Sequence, residues 1–99
     1  MVKRLDPPVV LDHAFDGHLG VTVKGETWSA VEIPGSAALF GSLRPTRVDV
    51  LIDDLLVEDI GLMPTGSGEL MLSVSAALRK RIGKEVGSAV RVTVLRKLT

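Results

Sequence analysis

Few residues in this chain combine the type and spacing that chemistry requires. The densest set is Asp12-His13-x-x-Asp16-x-His18, two imidazoles and two carboxylates within seven residues, the ligand types that suit zinc or another divalent cation. In an extended segment, alternation sends His13 to one face and Asp16 with His18 to the other, and no third well-placed ligand stands nearby. A solvated strand edge without metal is expected. Thr65-Gly66-Ser67-Gly68 is glycine-rich but lacks the Gly-Lys-Ser/Thr ending that cradles phosphate, so it reads as a loop. Ser36 and Ser75 open two helical segments, where a hydroxyl caps free N–H groups, and are read as caps instead of nucleophiles. No Ser/His/Asp set occurs at an informative spacing, and zero Cys removes disulfides, zinc–thiolate sites and thiol chemistry together. The residue types thus point to no catalytic residue, no cofactor and no metal, and they lean against an enzyme without deciding the matter.

Two groups remain as candidate contacts. Arg79-Lys80-Arg81 with Lys84 is the one basic cluster, able to neutralise several phosphates of a nucleic acid, although such cations also complement the C-terminal end of a helix. Aromatic content is 3%, too little for a platform on which single strands stack. Trp28, the one Trp, either caps a small core or lines a barrel mouth where Arg47 or Arg79 would anchor an anionic ligand.

These side chains need elements to hold them, and hydrophobic alternation supplies the clearest. Val48/Val50/Ile52 share one face of a strand over 46–52, and Val90/Val92/Val94 one face of another over 89–94, each with polar residues opposite. Weaker strands are expected at Val9–Leu11, over Phe15–Val23 with an interruption at Asp16-Gly17, and over Thr27–Ile33. Leu55–Asp59 and Glu69–Val74 complete the set. Short helices are expected over Ser36–Phe40 and Ser75–Ile82, each followed by a glycine. Lys24-Gly25-Glu26 and Ile52-Asp53-Asp54 read as turns.

Side by side, these elements expose a repeat. Ser36-Ala37-Ala38-Leu39 recurs as Ser75-Ala76-Ala77-Leu78 at an offset of 39, and Val31 and Ile33 fall on Leu70 and Leu72 at the same offset. After three more residues in the second copy, Val48-Asp49-Val50 meets Val90-Arg91-Val92. Each copy is strand, helix, strand, too small to bury its own sheet, so the two are expected to close on each other.

The 99 residues make one domain, 1–99, with pseudo-repeats near 28–52 and 67–95 after N-terminal strands within 9–24. A hydrophobic fraction of 45% excludes a disordered tail. The longest uncharged stretch, Ile33–Leu43, is eleven residues and contains Pro34, which argues against a membrane span. Lys3 and Arg4 lead into Asp6-Pro7-Pro8 and not an apolar segment, so a cytoplasmic location is expected. Twelve basic groups balance twelve acidic ones, but unevenly: residues 1–69 carry five against eleven, a net of −6, and residues 70–99 carry seven against one, a net of +6.

The second copy, Gly68–Val74, Ala77–Gly83 and Gly87–Val92, resembles the half-barrel of the AbrB/MazE transition regulators. Phe15, Gly25-x-x-Trp28-x-x-Val31-x-Ile33-Pro34, Phe40 and Val48-x-Val50 extend the resemblance over residues 13–96, to the small bacterial domain of unknown function linked to YdeI/OmpD-associated proteins. The resemblance implies a mainly β fold with two short helices, a double-split β-barrel made within one chain. The chain departs from that family in having Ile52-Asp53-Asp54 for its Ile-Asn-Gly turn, and Gly87-Ser88 for its Gly-Asp. The functional expectation is a non-catalytic binding or interaction module whose partner is another protein or domain, in a monomer or weak homodimer. An AbrB-like DNA-binding regulator using the Arg79–Lys84 cluster, and a small-molecule binder at the barrel mouth, are the alternatives.

Overall fold

A computed structural model describes residues 9–98. Their elements run β1 (Val9–His18), β2 (Val21–Val23), β3 (Glu26–Trp28), β4 (Ala30–Ile33), α1 (Ser36–Phe40), β5 (Thr46–Ile52), β6 (Leu55–Pro64), β7 (Leu70–Ser73), α2 (Ala76–Ile82) and β8 (Ala89–Lys97). Six strands form one antiparallel sheet in the order β1-β8-β5-β6-β7-β4, and β2–β3 form a separate hairpin. The ends of the large sheet come together: the Gly20 N–H donates to the Ala30 carbonyl at 2.8 Å, and a Cβ on Gly17 would stand 3.1 Å from Cγ1 of Val31. The fold is thus mainly β with two short helices, its sheet curled into a nearly closed barrel.

Alternation decides what fills it. Val48, Val50 and Ile52 of β5 and Val90, Val92 and Val94 of β8 point inward with Val31, Ile33, Leu62, Leu70 and Leu72. The helices add Leu39 and Phe40 from α1 and Leu78 and Ile82 from α2 to the same cluster. A second, smaller cluster lies on the outer face of β4 and β7, where Val21 and Val23 of β2 cover Ala30 and Met71. The β2–β3 hairpin is therefore an external flap on the barrel wall.

Several expected boundaries shift, each for a local reason. β1 runs unbroken through Asp16-Gly17 and stops at Leu19-Gly20, where Gly20 takes φ 123°. The segment over 27–33 divides at Ser29, which leaves β3 on the flap and β4 in the wall. β6 continues past Asp59 to Pro64 because a bulge at Glu58 and Asp59, with Asp59 at φ 53°, lets the strand resume in shifted register. Ser75 caps α2, its Oγ accepting from Leu78 N at 3.2 Å. Ser36 does not cap α1: it lies inside the helix, is fully buried, and accepts from the Leu70 N–H at 2.7 Å. Capping falls to Glu69, whose Oε2 accepts from Gly35 N at 2.6 Å.

Candidate functional site

The flap builds the most ligand-like concavity. Its turn is Lys24-Gly25, two residues at φ 50° and 81° closed by the pair Val23↔Glu26, the left-handed pair of a two-residue type I′ hairpin turn. Trp28 at the end of β3 is 47% exposed and Met63 on β6 is 49% exposed, two large apolar side chains turned to solvent. Between flap and wall lies a groove of 340 Å³. Val23, Trp28, Met63, Pro64 and Met71 give it apolar walls, Thr65, Gly66 and Ser73 add small polar ones, and Lys24 is the one charged residue of its lining. Such a volume falls in the range of small-ligand sites, and methionines make a wall that adapts its shape.

The basic cluster is divided by the fold. Arg79, half-buried, donates from Nη1 to Ser29 Oγ and, at 3.4 Å, to the Val74 carbonyl, tying α2 to the start of β4. Lys84 pairs with Asp53 at 2.9 Å and donates to the Ala89 carbonyl at 2.6 Å. Arg79, Lys80 and Lys84 line one cavity with Glu85, whereas Arg81 lines another with Asp53 and Asp54. Two of the four cations thus serve the scaffold.

Trp28, Arg47 and Arg79 do not converge. Trp28 lines the flap groove and Arg79 the α2 cavity, while Arg47 on β5 holds Asp59 across the β6 bulge, Nε to Oδ1 at 2.6 Å. The imidazole–carboxylate set separates as alternation requires. His13 turns inward against Phe15, ring centroids 5.8 Å apart, its buried Nε2 without a hydrogen-bond partner, and Asp16 faces out and pairs with Arg91 at 3.2 Å. Among the described residues, no group of three or more His, Asp or Glu is placed to hold a metal.

Three carboxylates important to the scaffold escaped the sequence reading. Asp49, buried on β5, accepts from Asp59 N at 2.8 Å and pairs with Arg96 at 3.3 Å. Asp53 accepts from the Arg91 backbone N–H at 3.0 Å, which with Lys84 holds its carboxyl below the usual range against the opposing effect of burial. Glu69 is likewise lowered, chiefly by the Gly35 N–H and further by Ala37 and Ser36. The available signal was an acid within a Val-rich strand, Asp49, and acids beside turns, Asp53 and Glu69.

Residues 15–94 match the family model of a domain of unknown function, DUF1905. The chain belongs to that family. The match runs from Phe15 in β1 to Val94 in β8 and so takes in the flap, the groove and both helices. No curated protein and no solved structure gave a significant match. No helix among the described residues is long and apolar enough to cross a membrane. The family's description names no activity, and function has to be argued from the site.

Proposed function

We propose that the domain is a non-catalytic binding module, monomeric or weakly dimeric, that presents the flap groove beside Trp28 to its ligand. The observation that carries this reading is a concave apolar surface held open on the outside of a barrel whose interior is filled with side chains. Amide chemical shifts during a screen of small apolar compounds test it. Perturbations confined to residues 23–28, 63–66 and 71–73 are expected; compounds that map instead to the α2 cavity, or none that bind, overturn it.

The finer architecture belongs to the same proposal. Exchanging the two strand–helix–strand units turns the pair Val31↔Leu72 into Leu70↔Ile33, which is also a pair of the β4–β7 register. It likewise turns Val50↔Val94 into Val92↔Ile52 in β5–β8. These registers support a pseudo-twofold, double-split barrel, and a link to YdeI/OmpD-associated proteins and a cytoplasmic setting go with that reading. The regulator alternative has Lys80 and Arg81 in its favour, two exposed cations without an ion pair among the described residues. Retardation of random duplex DNA at low salt would support it; none is expected.

A further inference from the structure

We propose that the flap groove takes an amphiphilic monocarboxylate of the fatty-acid type, its apolar tail against Trp28, Met63 and Met71 and its carboxylate met by Lys24. The inference rests on the groove being the binding surface.

Charge sets the sign of the ligand. Lys24 is the one charge in a lining otherwise apolar or neutral, and it makes no ion pair among the described residues. Lys84, Arg91, Arg96 and Arg47 each hold a carboxylate, whereas Lys24, like Lys80 and Arg81, holds none among the described residues, and of these three Lys24 alone lines an apolar groove. A ligand that fills the groove places an apolar body on its walls and meets a single cation, which favours one negative charge and disfavours a cationic head.

Backbone conformation is an independent observation. Among the described residues, four that are not glycine adopt left-handed φ: Asp12, Lys24, Asp53 and Asp59. Three are Asp, whose short side chain tolerates that region; Lys24 has no such compensation. Asn or Gly would make the turn at lower cost, so the strained position retains a long cationic side chain at the groove.

The test is a titration followed by fluorescence of the one Trp, Trp28, with decanoate, decanol and decylammonium, all below micelle-forming concentrations. A saturable change is expected with decanoate, weaker with decanol and weakest with decylammonium. Lys24→Asn, which suits the turn, is expected to weaken decanoate about five-fold, the scale of one exposed ion pair. It should leave decanol unchanged, and Lys24→Arg should restore decanoate. Equal affinity for decanoate and decanol, or a preference for decylammonium, overturns the carboxylate assignment and leaves the groove reading standing. Silence with all three, in protein whose thermal melt is intact, removes both. Co-sedimentation with phosphatidylcholine vesicles in the absence of free acid would also overturn it, by naming a lipid surface as the occupant.

Discussion

At the residue scale, two carboxylates make stability depend on acid. Glu69 accepts from the first N–H groups of α1, and Asp53 from the Arg91 backbone and Lys84, and each is held below its ordinary range in the folded chain. A group whose folded pKa is depressed contributes stability that is fully present above the unfolded value, about 4 for a carboxyl, and is lost as pH falls through the folded one. Urea midpoints measured downward from pH 6 should therefore fall below about pH 4.5, and the combined Glu69→Gln and Asp53→Asn variant should give a flatter acid limb from a lower plateau. Ser36 is a separate case. Its buried hydroxyl accepts from Leu70 N and donates toward Glu69 at 3.3 Å, so Ser36→Ala leaves a buried N–H unpaired. A loss of about 1–3 kcal/mol in denaturant-derived stability is expected. Its serine type pointed to a helix start, correctly; that the cap would come from residue 69 depends on β4 pairing with β7, which no local pattern encodes.

Among the elements, those with unbroken alternation were legible. β5 and β8 keep period two along their inward residues, and their faces follow directly. In β6 the alternation is legible only as far as the bulge, because its inward set shifts phase: Val57 and then Ile60 and Leu62 turn toward the core, with three residues from Val57 to Ile60 where two are needed, since Glu58 and Asp59 form the bulge. The shift in β1 between Val10 and His13, with Asp12 at φ 48°, obscured that strand in the same way. Asp49 stabilises the β6 bulge from the neighbouring strand, and this long-range dependence is what sequence windows miss. The groove was out of reach for a related reason: Met63 and Met71 come beside Trp28 only through the β6–β7 pairing and the folding-back of the flap. The flap turn itself yields a prediction. Lys24→Asn should raise thermal stability by a few tenths to about 1 kcal/mol, since Asn occupies the left-handed region at lower cost. Calorimetry on the variant and parent checks this.

For the whole molecule, the acidic first part and basic last part of the sequence do not form two faces. β8 lies between β1 and β5, so Arg91 meets Asp16, Arg96 meets Asp49, and Lys84, just before β8, meets Asp53. Each pair joins an acid from residues 1–69 to a base from residues 70–99. Three of the opposed charges on each side thus cancel locally in space, which weakens the case for a long basic face. The seam where β1 nears β4 is the other molecule-wide feature. Gly17→Val would drive a branched side chain into Val31, and a loss of about 1–3 kcal/mol in chemical denaturation is expected. The position of β8 also bears on the order in which the chain is made. The strand that joins β1 to β5 follows every other described element, so a chain emerging from the ribosome cannot complete its sheet until β8 is available. Until then the emerged part carries its excess of carboxylates, whose mutual repulsion discourages premature association, and the late-arriving cations of β8 are drawn electrostatically to the gap they must enter.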